Sequence, residues 1–315
     1  MSTIRIVTNG PSQGAVNLKN SLVSKNHRVF KVRNSVGAYR RDLAIKWGCF
    51  ELDNSVIQHS RVILNDKSSD TCLNKLKCFV ALEEAGVPIP KFTNDINVAR
   101  DWLIKGERIY VRKLLRSSAG EGIEVIEGAN STLPDAPLYT MGMKGKRREY
   151  RIHVFGVGST RRIFIQQKLR RRGFQENENY TNLVRNLDGG WVFAHEEANI
   201  QKPRDVTVDA AVGAIKALGL DFGAVDLIEM DKHAEGSVVL EVNTAPGLEG
   251  TTCEFYADAI NEAQRELASL GWKKPPHQGL VSKDNKEIKV KLPDYAHENV
   301  ADDDSDDFDD DDYDA

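Results

Sequence analysis

The apolar run "SVVLEVN", leading into "TAPGLEGTT", is the most constraining feature of this 315-residue chain. It reads as a buried strand, yet it puts Glu241 and Asn243 two residues apart and so on one face. The preceding run, "FGAVDLIEM", reads as a second buried strand and carries Asp226. An unpaired charge inside such a run is costly. If the two strands pair antiparallel, Asp226, Glu241 and Asn243 converge. Two carboxylates and an amide oxygen make a hard, oxygen-only donor set, which suits Mg²⁺ shared with substrate phosphates. The competing reading leaves both acids on half-exposed strands facing solvent.

Upstream, "SDTCLNKLKCFVALEEAG" predicts one helix, with Leu73, Leu76 and Val80 on its apolar face, Asp70 or Thr71 as cap and Gly86 as stop. "INVARDWLIKGE" and "DVTVDAAVGAIKALGL" predict two more, the second with Val208, Ala211, Val212, Ile215 and Leu218 on one side. "CEFYADAINEAQRELASLG" predicts a terminal helix. "RIYVRKLL" and "IEVIEG" predict a hairpin around "RSSAGEG", unlike the strand–loop–helix of a Rossmann or Walker site. "PLYTMGM" and "GGWVFA" predict single strands. "EYRIHVFGVG" and "RRIFIQQKL" predict an antiparallel pair with Gly156 and Gly158 in its turn. The first 66 residues read as a small α/β lobe with "IRIV" as a strand and "SVIQHSRVILN" containing a second apolar run.

The small residues of the Ser117–Gly122 loop leave backbone N–H groups free to wrap phosphate oxygens, although a plain hairpin turn explains the same composition. Arg151 and Lys168 sit on predicted strands, where cations either neutralise a triphosphate or pair with neighbouring acids. The run "LRRRGF" reads as a solvated turn or an anion-attracting rim.

Composition narrows the class. No run of 18 apolar residues exists, and "MSTIRIVTNG" lacks a secretory pattern, so a cytoplasmic protein is expected. Cys49, Cys72, Cys78 and Cys253 follow no zinc spacing and read as free thiols. Residues 301–315 hold ten Asp and no Lys or Arg; removing those ten charges from a net of −4 leaves a body of +6. Such a tail is expected to be disordered, as a solvating extension, a handle for a basic partner, or a competitor for its own cleft. Aromatic residues are not interleaved with Arg and Lys along the predicted strands, so nucleic-acid binding is not expected.

Together these residues resemble the ATP-grasp superfamily, which includes D-alanine–D-alanine ligase, glutathione synthetase and the ribosomal-protein glutamate ligases. "LEVNTAPGLEGTT" carries the resemblance most specifically; "NKLKCFVALEEAGVPIPKF" resembles the family's entry helix, with Lys75 at its usual Lys position. "EYRIHVFGVG" resembles the "DxRxxV" strand of the glutamate-ligase branch, with Glu149 in place of Asp. The wording is closest to ATP-grasp proteins encoded by tailed bacteriophages, which implies a host-cytoplasm setting. The resemblance implies an α/β (α+β) ATP-grasp fold, two lobes clasping ATP, over residues 67–270, after a small lobe at 1–66 and before a linker at 271–300.

It further implies ATP with two Mg²⁺ ions on Asp226, Glu241 and Asn243, with Arg151 and Lys168 as catalytic cations. The implied nucleotide contacts are Ser117, Ser118, Gly120, Gly122, Asn186 and either Arg112 or Lys113. The family's "VVKP" strand reads "YVRKLL" here, and adjacent strand residues face opposite ways, so only one of the last two meets ATP; Arg112 is preferred. The implied reaction joins a carboxylate to an amine through an acylphosphate, on an amino acid, peptide or protein terminus, with a homodimer possible. A kinase on the same fold and a catalytically reduced nucleotide-binding scaffold are the alternatives.

Overall fold

A computed structural model describes residues 3–33, 41–49, 51–117, 120–157, 160–195, 199–230 and 236–274. The acidic tail, Ser118 and Gly158 lie outside them. Strand β9 (Lys146–Val157) organises the chain. Its alternate residues Tyr150, Ile152 and Val154 are fully buried in one cluster, while Glu149, Arg151 and His153 point to the opposite face. β9 is central in an antiparallel sheet of order β11-β10-β9-β12-β13. The others are β10 (Thr160–Arg170), β11 (Trp191–Ala194), β12 (Phe222–Met230) and β13 (Ser237–Asn243).

Helix α6 (Asp205–Ala217) covers the apolar face with the expected stripe: Ala211, Val212, Ile215 and Leu218 are buried and Val208 packs beside them. Helix α7 (Gly250–Ser269) crosses the other face at one end, where Phe255, Tyr256 and Ile260 meet Phe155 and Phe222. The same cluster takes in the N-terminal sheet, a parallel array of order β2-β1-β3-β4 built from β1 (Thr3–Thr8), β2 (Arg28–Arg33), β3 (Arg41–Lys46) and β4 (Ser60–Leu64). Helices α1 (Gln13–Ser24) and α2 (Asn54–His59) complete that lobe, so "SVIQHSRVILN" divides into a helix and a strand. Gly48, at φ +65, lets the lobe approach β13's exit: a Cβ there would stand 2.8 Å from Ala245.

The expected long helix is broken into α3 (Asp70–Leu73) and α4 (Lys75–Glu84). Asn74 is extended between them, its side chain accepts from the Lys77 N–H, and the Lys75 N–H donates to the Leu115 carbonyl at 2.9 Å. The buried residues of α4 are Cys78, Phe79 and Leu82; Val80 is 40% exposed, a correction to the expected face. A third sheet, order β5-β8-β6-β7, holds β5 (Phe92–Thr93), β6 (Ile109–Arg112), β7 (Ile123–Ile126) and β8 (Leu138–Met141), backed by α5 (Ile96–Ile104). The expected β6–β7 hairpin is present. Gly156 lies within β9 opposite Arg161, not in the turn.

Two residues hold the N-terminal lobe to β12. Asn65, fully buried at φ +57, accepts from the backbone N–H groups of Asp221 and Phe222 and donates to the Phe222 carbonyl. Lys274 donates to Asp66 and Asp221, both at 2.7 Å, and Trp272 packs on the shared core, so the chain just beyond α7 belongs to the core where the sequence suggested a linker. Asn65→Ala strands two buried N–H groups and is expected to cost about 3 kcal/mol. Urea unfolding of the variant checks this; an unchanged midpoint refutes the clamp.

Candidate active site

The polar face of the five-stranded sheet gathers the predicted residues through register. Gln166 pairs with Arg151, Arg151 with Asp226, and Asp226 with Glu241, so four neighbouring strands contribute one row on one face. Asn243 follows Glu241 on that face, opposite Ala224. Arg151 grips Asp226 bidentately, Nε to Oδ1 at 2.6 Å and the terminal nitrogen to Oδ2 at 2.7 Å. Burial works against the guanidinium charge, but Asp226 outweighs it and holds the Arg151 pKa above its ordinary value. The guanidinium also lies over the Phe193 ring at 4.0 Å, and Lys168 Nζ reaches the same ring at 5.1 Å.

Lys168 donates to Glu149 at 2.6 Å, and Lys146 reaches the other Glu149 oxygen at 2.9 Å. Burial disfavours the Glu149 charge, yet Lys146, Lys168 and Arg185 together overcome it and keep the carboxyl at about 2. Burial brings Lys146 down to about 8, with Glu149 pulling the other way.

Lys75, at the start of α4, ties three elements together. Its ammonium donates to the Ser117 carbonyl at 2.6 Å and pairs with Glu241 at 3.2 Å. The helix break at Asn74 makes this possible, by turning α4 toward the Gly loop. Lys75, Arg116, Ser117, Glu241 and Asn243 line a cleft of ≈ 300 Å³ together with apolar residues of α3, α4 and β13.

The end of β6 separates Arg112, its last residue, from Lys113 just beyond it. Arg112 is buried over Phe79, feels Glu241, and has an Nε without a hydrogen-bond partner; burial lowers its pKa. Lys113 is exposed and pairs with Glu124 at 2.6 Å. The Gly loop turns through Gly120 and Gly122 at φ +79 and +74, with Gly122 carbonyl accepting from the Lys113 N–H. Gly120 sits against the Val184–Asn186 segment, where a Cβ would come within 2.9 Å of Val184. Asn186 itself accepts from the Gly189 N–H at 2.7 Å.

The donor chemistry of Asp226, Glu241 and Asn243 fits a metal–phosphate site. Among the described residues no group of three His, Cys, Asp or Glu side chains forms a self-sufficient metal cage. Two carboxylates and an amide instead match an ion that completes its shell with water and phosphate oxygens. Residues the sequence reading did not assign to the site include Glu149 and Lys75 as partners of its charges, and Phe193, Arg185 and Gln166. Gln166 lies two before Lys168 on the same strand face, a signal open to inspection; Phe193 needs the β10–β11 register. All four cysteines are free and buried. No helix of the described residues is long and apolar enough to cross a membrane.

No protein-family model matches the chain. A probable alpha-L-glutamate ligase of Chromohalobacter salexigens is 30% identical over 230 residues, 69% of this chain and 71% of that protein. The D-alanine–D-alanine ligase of Bacillus anthracis superposes with a TM-score of 0.57 at 14% identity, over 86% of this chain and 100% of its own. The ATP-grasp ligase PsnB, solved with a variant of its minimal precursor, Mg and ADP, gives 0.58 at 14% identity, over 83% and 98%. The ATP-grasp fold expected from sequence is therefore the fold of this chain. The bacteriophage likeness has no counterpart in these matches.

Burial brings His153 down to about 4 from 6.5. Below pH 6.5 the unfolded chain takes up a proton that the folded chain refuses, so this group's contribution to stability is complete above 6.5 and lost as pH falls through 4. The stability of the wild type is expected to decline across that window more steeply than that of His153→Asn. Equal slopes in chemical denaturation at stepped pH would refute it.

Proposed function

Because the chain belongs to the alpha-L-glutamate ligase family of ATP-grasp carboxylate–amine ligases, we propose that it joins an amino acid such as L-glutamate to a peptide or protein terminus at the expense of ATP. The substrate choice is supported by the alpha-L-glutamate ligase relatives and by the precursor peptide in a complex of PsnB. The observation that carries the reading is the Arg151–Asp226–Glu241 row lying beside Lys75, Arg112 and the Gly loop.

In this reading Asp226, Glu241 and Asn243 hold Mg²⁺. The bound ion neutralises phosphate charge that the protein's cations leave uncompensated. Arg112, with its unpartnered Nε, meets the nucleotide, while Lys113 remains with Glu124. The backbone of Ser117, Gly120 and Gly122 covers the phosphates, and Asn186 supports the loop from the neighbouring turn. Arg151 and Lys168 offset the charge on the transferring phosphoryl group. A carboxylate oxygen bonds to the γ-phosphorus and ADP leaves; the amine then bonds to the acyl carbon and phosphate leaves. The loop and the N-terminal lobe keep water from the acylphosphate between those steps.

Asp226→Asn and Glu241→Gln are each expected to lower Mg-dependent ADP release by roughly a thousandfold, with far-UV circular dichroism unchanged. Turnover near wild type in either variant refutes the metal assignment. Release of ADP with phosphate, in place of a phosphorylated substrate, distinguishes ligase from kinase. Arg112→Ala is expected to weaken Mg·ADP binding about tenfold and Lys113→Ala by less than about twofold, since only a buried, desolvated cation gains much from a phosphate. Calorimetric titration giving the reverse order would exchange the two roles.

A further inference from the structure

A buried polar chain runs beneath the catalytic row. The Tyr256 hydroxyl of α7 lies 3.2 Å from His153 Nδ1, and His153 Nε2 lies 2.9 Å from Gln166 Oε1. His153 and Tyr256 are fully buried. With Gln166 Oε1 facing a neutral ring, each link takes one direction. An amide oxygen only accepts, so Nε2 of His153 carries the proton and donates to Gln166. Nδ1 is then a lone pair, and it accepts from the Tyr256 O–H.

This fixes how Gln166 stands. Its carbonyl end is held by His153, so its NH₂ end is directed elsewhere. Among the described residues that nitrogen has no hydrogen-bond partner, and Gln166 is partly exposed. Its cross-strand neighbour on the same face is Arg151. Arg151 uses Nε and one terminal nitrogen on Asp226. Lys168, two residues along the same face, uses its ammonium on Glu149. Two amide N–H donors therefore stand between cations already engaged, and a neutral donor adds hydrogen bonds there without repelling either.

The surroundings make a packing role insufficient. His153 sits edge-on to Phe164 and Tyr256, and Phe155, Phe222 and Phe255 pack around that tyrosine. An imidazole and a phenol in such a core are tolerated only when fully hydrogen-bonded, and apolar rings would fill the space at lower cost. What the polar pair adds is the orientation of one carboxamide.

We propose that Gln166 is a further substrate-contacting residue: its amide N–H group, oriented by His153 and Tyr256 as positioning residues, donates to a terminal phosphoryl oxygen of the bound nucleoside triphosphate. This rests on the nucleotide reading of the same site. The test is calorimetric titration of the full chain with Mg·AMPPNP and Mg·ADP, with the melting temperature measured alongside. Gln166→Leu is expected to weaken Mg·AMPPNP by roughly tenfold or more while leaving Mg·ADP unchanged, with a lower melting temperature because the buried His153 N–H loses its acceptor. Gln166→Glu, which replaces a donor with an anion, is expected to weaken Mg·AMPPNP further. Tyr256→Phe is expected to reduce the preference for AMPPNP over ADP in part, an effect that a packing role would not produce. Equal preference in Gln166→Leu and wild type, or equal loss of both nucleotides, overturns the proposal. A wild type that binds neither nucleotide overturns the nucleotide reading itself, and the proposal falls with it.

Discussion

Strand register is the constraint on which the site depends. Gln166, Arg151, Asp226 and Glu241 come from four strands and share a face only because each pairing has the phase it has. A one-residue slip of β9 would send Arg151 and His153 into the apolar cluster with α6 and bring Tyr150 and Ile152 to the polar face. The fully buried Tyr150, Ile152 and Val154 forbid that slip. Hydrophobic burial on one side of the sheet thus sets the chemistry on the other.

The polar face carries more charge than a sheet normally tolerates, and each charge has a partner. Glu149 answers Lys146, Lys168 and Arg185; Asp226 answers Arg151; Glu241 answers Lys75. Removing one member of such a buried pair is far more damaging than the pair is stabilising. The cations are therefore fixed in place, with Phe193 beneath two of them. Fixed cations suit phosphoryl transfer, where charge must be met without reorganisation.

Connections between lobes follow the same economy. One face of the N-terminal sheet shares its core with the central sheet: Ile4, Leu43 and Leu64 join one cluster with Phe222 and Tyr256, Val7, Ala44 and Val56 form a small cluster on the other face, and Asn65 and Lys274 lock the exit. The third sheet has its own small core around Leu103, Ile109 and Tyr139. It meets the rest through a few directed contacts, among them Lys75 to Ser117, Lys75 N–H to Leu115 and Tyr110 to Leu183. The Gly loop connects β6 and β7 of that sheet, a placement that suits the proposed cover over phosphates.

Local pattern determined much of this by itself. Apolar runs marked β12 and β13; a helical stripe marked α6; and the carboxylates of Asp226 and Glu241 stood out because they interrupt apolar runs. The resemblance carried by "LEVNTAPGLEGTT" reached the family. Other features needed the folded chain. The break at Asn74 turns on a hydrogen bond from Lys75 to Leu115, forty residues away. Arg112 ends β6 and is buried, while Lys113, one residue on, is exposed beside Glu124. Phe193 beneath Arg151, and His153 holding Gln166, depend on the phase between strands. Periodicity along one strand records which residues share a face. It carries no record of the neighbouring strand's phase, and that phase decides which side chains touch.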